Sequence, residues 1–391
     1  MYCSFMGEDK ANTARSNDAA ELFPILASVS RGLPRLASEA KHAGNGHLVE
    51  FRMMESRSIL NRTMSKRRLS LAYSINPYRG CEFGCKYCYA RYTHEFLAPG
   101  ASASPAKSGD PGHGSEEAKA ASVGSLAANF RDPEVFERLI FLKKNAAWLL
   151  EQELRRIDPA DEVALGTATD PYQPIERQAM VTRSILEVFA RKQGYRLGIV
   201  TKSALIERDI DLLVEIARKN TLAVHLTITT PDAALARKLE PRAPRPNLRF
   251  AAVRRLRDAG VRTGILCSPL LPGITDTEDA MDGMAQLASE AGASFLAAEP
   301  LFLKSCSRPT FLSFVREHFP ALEAEYASRF ATADFAGRPY RQRMAGMVER
   351  ACRKYRIGER STDALLTRDA GAGSKGAGRA GTPGRQQRLF A

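Results

Sequence analysis

No stretch of the sequence approaches the run of about 20 apolar residues needed to cross a bilayer. The first residues, MYCSFMGEDKANTARSNDAAELF, lack the basic-then-apolar order of a secretory leader. Membrane and secreted classes are therefore set aside, and a cytoplasmic chain is expected. Cysteine is scarce and odd in number, seven in 391 residues, which argues against a disulfide framework. It is also unevenly placed. Cys81, Cys85 and Cys88 crowd into one short segment, and no further cysteine occurs before Cys267. Acidic residues are in deficit: 57 Lys and Arg against 44 Asp and Glu leave a formal net charge of +13. That balance favours a polyanionic partner such as nucleic acid and says nothing about fold. What remains, 44% hydrophobic and 26% charged residues, is ordinary for a globular protein with a large core.

Three segments have little that could build a core. Residues 1–57 show weak periodicity and read as a loosely ordered lead-in. Residues 99–129 and 367–391 are dominated by Ala, Ser, Gly and Pro. Such composition buries too little apolar area to offset ordering, so a flexible insertion and a disordered basic tail are expected. The segment Arg57–Arg68 carries five basic residues and no acidic one, and could touch phosphates.

Between these segments, apolar runs suited to buried strands alternate with helical patterns. The runs are Leu71–Asn76, Val163–Ala168, Arg196–Lys202, Leu222–Thr230, Arg262–Pro269 and Ser294–Leu301. Helical periodicity follows at Ile175–Lys192, Glu207–Lys219, Leu248–Ala259 and Thr277–Ala291. Strand–helix alternation implies right-handed crossovers and a parallel sheet. Six units predict an α/β fold, an open partial (β/α)6 barrel, with a doubly wound sheet as the alternative. Residues 58–310 would form this core and 311–366 a helical extension. Polar residues recur at successive strand ends: Thr167, Asp170, Lys202, Thr227, Thr229, Ser268 and Glu299. In parallel barrels the active site is built at the C-terminal strand ends.

The cysteines stand in Asn76-Pro-Tyr-Arg-Gly-Cys-Glu-Phe-Gly-Cys-Lys-Tyr-Cys88, a C-x3-C-x2-C motif. Structural zinc normally takes four protein ligands, often as two separated pairs. No fourth ligand sits at such spacing, His94 being the nearest candidate. Three thiolates on one loop suit three irons of a [4Fe–4S] cubane, leaving the fourth iron open.

With its motif after a first strand and β/α units beyond, the sequence resembles the radical S-adenosylmethionine (SAM) superfamily. The segments SINPYRGCEFGCKYCYARYTHEFL, GTATDPYQPIE, IVTKSALIERDIDLL, LTITTPD, LEPRAPRP and SPLLPGITD resemble its spore photoproduct lyase-like branch. The resemblance implies a [4Fe–4S] cluster on Cys81, Cys85 and Cys88, with SAM bound at the open iron. It implies one-electron cleavage of SAM and hydrogen abstraction from a substrate. By resemblance, Tyr87, Thr167, Asp170, Lys202, Thr227 and Ser268 would border SAM. Gly166-Thr-Ala-Thr-Asp170 replaces the glycine–glycine–glutamate usual at its position. A flavodoxin- or ferredoxin-like protein would donate the electron.

The hydrogen-returning cysteine of spore photoproduct lyase has no counterpart between Cys88 and Cys267, so thymine-dimer reversal does not transfer. Cys267, Cys306 and His94 are the candidate catalytic groups that remain. Gln386, Leu389 and Phe390 form a Q-x-x-L-F tail resembling peptides that dock into the bacterial sliding clamp. Three readings follow: a radical SAM enzyme on nucleic acid, the same chemistry on a peptide or small molecule, or a non-catalytic cluster protein recruited to the clamp.

Overall fold

The computed structural model describes residues 49–62, 71–97, 130 and 132–358. The insertion, the tail with its Gln386, Leu389 and Phe390, most of the lead-in and half of the basic segment lie outside them. The described residues contain ten strands: β1 Glu50–Met54, β2 Leu60–Arg62, β3 Leu71–Ile75, β4 Tyr78–Arg79, β5 Leu139–Lys143, β6 Glu162–Leu165, β7 Arg196–Thr201, β8 Thr221–Thr227, β9 Thr263–Leu270 and β10 Leu296–Pro300. The main sheet has the order β10-β9-β8-β7-β6-β3-β2. Its strands β3 and β6 to β10 run parallel in sequence order, and β2 pairs antiparallel at one edge. Six parallel strands on the expected runs, with no pairing of β2 to β10 among the described residues, agree with an open (β/α)6 arrangement.

The strands read as nearly continuous apolar runs because both faces of a parallel sheet are covered. Leu165, Ile199, Val224, Leu226 and Ile265 have no exposed surface. Register follows the same demand, with Leu165 opposite Ile199 and Leu226 opposite Ile265. The longer helices are α1 Ala146–Glu153, α2 Val181–Ala190, α3 Ile210–Lys219, α4 Pro246–Asp258, α5 Glu278–Glu290, α6 Arg308–His318 and α7 Arg338–Lys354. Among the described residues, no helix is long and apolar enough to cross a membrane.

The structure differs from the sequence pattern in three places. The helix expected over Ile175–Lys192 is broken at Met180, which has φ +54°. The carboxylate of Glu176 is the physical reason. It accepts from the Thr182 and Arg183 N–H groups at 2.8 and 3.2 Å, capping the free first turn of α2. The 1–57 lead-in is also more ordered at its end than expected: β1 pairs in parallel with β5, and β4 pairs antiparallel on the other side of β5. This second sheet rests on Leu139–Lys143, too short a run to announce itself. The C-terminal extension, third, begins earlier than residue 311. Helix α6 starts at Arg308, and α7 buries Met344, Met347, Val348 and Ala351 as it packs on β10.

Gly166, at the end of β6, has φ +92°, and a Cβ there would lie 2.4 Å from the Val200 carbonyl oxygen. Gly260 has φ +80° but open space around it. Both alanine variants adopt an unfavourable backbone, so Gly260→Ala should lose about 1 kcal/mol. Gly166→Ala must also displace β7 and should lose more than ~2 kcal/mol in urea unfolding. Equal losses would show that β7 yields freely at that point.

Candidate metal centre and cofactor site

The cysteine motif occupies the loop after β3, where the parallel strands end. Its backbone is tied to several elements. Gly80 has φ +87°, and a Cβ there would come within 2.7 Å of the Leu139 carbonyl oxygen. Only glycine lets the chain pass β5 so closely. The Cys81 N–H donates to Phe136 O at 3.0 Å, Lys86 N–H to Leu239 O at 2.9 Å, and Cys88 N–H to Cys85 O at 3.2 Å. Arg91 Nη2 donates to Cys85 O at 3.1 Å and Ser307 Oγ to Cys88 O at 2.6 Å. Several of the loop's peptide groups are thus occupied, and none of the three thiols is in a disulfide.

The thiols sit where a bare thiolate is unfavourable. Burial pushes Cys85 up to about 12 although Lys202 opposes the shift. Burial also holds Cys81 well above the usual thiol range, and repulsion from Asp170, Cys85 and Cys88 adds to it. Cys88 is raised by burial, with Arg91 pulling the other way. Three neighbouring thiolates here require a cation that arrives with them. Among the described residues, no group of three or more His, Cys, Asp or Glu side chains is gathered as a cage for one metal ion. A multi-iron cluster, which gives each cysteine its own iron, suits this donor set.

Residues from the strand ends join the loop. Asn76, just after β3, accepts from the Ala168 N–H at 2.8 Å and donates to Thr167 Oγ1 at 3.4 Å, holding the segment after β6. Tyr89 donates its hydroxyl to the Thr167 carbonyl. Asp170 accepts from Thr201 Oγ1 at 2.6 Å, Lys202 N–H at 2.7 Å and Tyr172 N–H at 2.9 Å. Burial nonetheless raises its pKa above the carboxylate norm. The Lys202 ammonium lies 5.7 Å from the centre of the Tyr87 ring. Burial works against that charge, but Cys85 and Glu240 outweigh it and hold the lysine above its usual value.

Tyr87 turns its hydroxyl to Glu240 and lies 2.8 Å from Thr229 Oγ1. Glu240 accepts from Arg249 Nη2 at 2.5 Å, and Arg249 Nη1 donates to Thr227 O at 3.0 Å. Burial disfavours the Glu240 charge, yet Arg249 and Lys202 hold it below the carboxylate norm. Ser268 accepts the Glu299 N–H on its Oγ at 3.1 Å, and its carbonyl oxygen lies 3.2 Å from Thr229 Oγ1. Cys81, Cys85, Cys88, Tyr87, Asp170 and Lys202 therefore form one neighbourhood, with Thr167 on its Asn76 side. Thr227 and Ser268 join through Arg249 and Thr229.

The three candidate catalytic groups separate. Cys306 is half-buried, 4.0 Å from Tyr89 O and near enough to Cys88 to disfavour its ionisation. Cys267 is buried, its thiol pushed up to about 12 by burial and directed at Thr229 O. His94 lies under the second sheet among Phe130, Phe136 and Phe141, with Nε2 3.0 Å from Leu139 O. It is thus not gathered with the cysteines as a fourth ligand. Sequence reasoning missed Glu240, Arg249, Arg91, Glu137 and Arg242. Glu240 and Arg242 lie in LEPRAPRP, a segment noticed without any assigned role; Glu137 carried no signal.

A model of the radical SAM superfamily matches residues 75–285, more than half of the chain. The chain belongs to the radical SAM superfamily. An uncharacterized protein of Mycobacterium tuberculosis is 29% identical over 346 residues, covering 88% of this chain and 92% of the relative. An uncharacterized protein of Methanocaldococcus jannaschii is 27% identical over 206 residues, covering 53% of this chain and 63% of its own. Among solved structures, a mutant of spore photoproduct lyase is similar with a TM-score of 0.52 at 17% identity, covering 78% of this chain and 79% of that one. That likeness is one of fold. Membership of the radical SAM superfamily makes the protein an enzyme and implies SAM, a [4Fe–4S] cluster and an electron donor.

Burial lowers His94 to about 4 from an ordinary 6.5, with the Leu139 carbonyl opposing the shift. Below pH 6.5 the unfolded chain takes up a proton that the folded chain refuses, so stability falls as pH drops towards 4. Between pH 6.5 and 5 this contribution is about 2 kcal/mol. In His94→Gln, urea unfolding should show a correspondingly smaller acid loss. An unchanged acid slope in that variant would assign the loss to other groups.

Proposed function

We propose that this radical SAM enzyme holds a [4Fe–4S] cluster on Cys81, Cys85 and Cys88 and uses SAM to abstract a hydrogen atom from nucleic acid in a repair-like reaction. The observation that carries the reading is the grouping of three free thiols with Asp170 and Lys202 at the ends of β6 and β7. When bound and reduced, the cluster supplies the electron that cleaves SAM. The chain's own residues bind and orient. Lys202 offers a half-buried ammonium to the SAM carboxylate. Asp170 holds the Lys202 backbone through its N–H and so fixes where that ammonium begins. Tyr87, anchored by Glu240, supplies a buried ring beneath the same ammonium, and Thr167, Thr227 and Ser268 line the neighbouring strand ends. Enclosure of Cys85 and Tyr87 keeps water from the reacting atoms.

The nucleic-acid assignment is supported by the +13 charge and by the surroundings of Cys88. Lys304 Nζ stands 4.2 Å from the centre of the half-buried Tyr92 ring, with Phe302 beside it. Paired cations and aromatic rings suit phosphates and unstacked bases. A flavodoxin- or ferredoxin-like protein would deliver the electron.

Reconstituted anaerobically with iron and sulfide, the protein should convert SAM to 5′-deoxyadenosine with dithionite, and Cys85→Ala should give none. A four-iron protein that leaves SAM intact would sink the cleavage reading. DNA and RNA oligonucleotides should bind with affinity that falls steeply with salt. Absence of binding at low salt, with SAM cleavage retained, would move the substrate to a peptide or small molecule.

A further inference from the structure

Arg91, Glu137 and Arg242 come from three separate segments and meet over the cysteine loop. Arg91 follows the cysteines, Glu137 lies in the short helix Val135–Arg138 before β5, and Arg242 follows the helix Ala233–Leu239. Arg91 Nη2 donates to Cys85 O at 3.1 Å and lies 3.5 Å from Glu137 Oε1. Arg242 pairs through Nη2 with Glu137 Oε2 and donates through Nε to Glu82 O. Two guanidinium groups therefore share one carboxylate, and each grips a carbonyl of the loop.

Gly84 marks where this unit crosses the chain. Its φ is +62°, and a Cβ there would lie 1.9 Å from Arg242 Nη2 and 2.0 Å from Glu137 Oε2. The glycine between Cys81 and Cys85 is thus required by the ion pair as well as by the turn. Arg91 is 2% exposed and Glu137 6%. Lys86 also faces Glu137 and the buried Glu82 carboxylate faces Arg242, so three cations stand against two carboxylates and one positive charge is left in excess beside the thiols; charges this enclosed are weakly screened.

We propose that Arg91, Glu137 and Arg242 form a positioning clamp that fixes the cysteine loop and, through its surplus positive charge, favours the reduced state of the cluster on that loop. The proposal rests on the assignment of Cys81, Cys85 and Cys88 as ligands. Reduction adds one electron to the cluster, and a nearby cation in a low-dielectric setting stabilises the added negative charge. The charge count gives the effect a sign. Arg242→Gln leaves the clamp neutral, whereas Glu137→Gln leaves it with two positive charges. A purely structural brace has no such sign.

The test uses the full chain reconstituted anaerobically without SAM, its cluster midpoint potential read by redox titration with electron paramagnetic resonance. Arg242→Gln should shift the potential down and Glu137→Gln should shift it up. Arg242→Lys should stay near wild type in potential yet lose iron faster to a chelator, since an ammonium cannot span both partners of the fork. If Arg242→Gln takes up no cluster, the sign is read from Glu137→Gln against Arg242→Lys, with the former higher. Unchanged potentials, or shifts in one common direction, overturn the clamp. A wild-type protein that takes up no four-iron cluster overturns the ligand assignment and the clamp with it.

Discussion

Three thiols on one short loop repel one another once ionised, and burial makes each reluctant to ionise at all. The site's architecture follows from that constraint. The loop's peptide groups are spent on Phe136, Leu239, Arg91 and Ser307, so the thiols can converge without the backbone collapsing around them. Fixed cations complete the arrangement. Lys202 and Arg91 lower the cost of negative charge at Cys85 and Cys88, and Glu240 with Arg249 balances Lys202 from behind Tyr87. A loop prepared in this way suits the [4Fe–4S] cluster proposed on it, because its charges offset part of the cost of ionising the thiols.

The parallel sheet serves the same end by geometry. Each strand delivers one or two polar residues at its C-terminal end, and they interlock sideways. Asn76 after β3 reaches the backbone after β6; Asp170 after β6 takes the Thr201 and Lys202 groups at the end of β7. Thr229 after β8 lies against the Ser268 carbonyl of β9, whose side chain receives the Glu299 N–H of β10. The contacts follow strand order on either side of the β7–β8 step, so the position of each strand-end group depends on its neighbour as well as on its own strand.

Much of this was legible in the sequence, for physical reasons. Strands buried on both faces write themselves as apolar runs, and all six expected runs became the parallel strands. The C-x3-C-x2-C spacing is local and survives any uncertainty in tertiary structure. The second sheet was not legible, because Leu139–Lys143 is brief and its partners lie far along the chain. Glu137 escaped notice for a related reason: its role exists only once Arg91 and Arg242 meet it in space. His94 misled in the opposite way. Its position near the cysteines in sequence suggested a share in their chemistry, whereas its side chain fills an aromatic cage under β5.

Helix α7 lies against β10, and the Cys352 thiol is directed at Leu296 O within that strand. Among the described residues the main sheet does not join β2 to β10, and each end strand of such a sheet presents backbone groups to which another strand could add. Here one border is closed by the three-residue antiparallel β2, too short to template much pairing, and the other is covered by α7. Within the described residues, the C-terminal extension therefore leaves little of the β10 backbone bare, and the sheet's longer border is a helix rather than a strand edge.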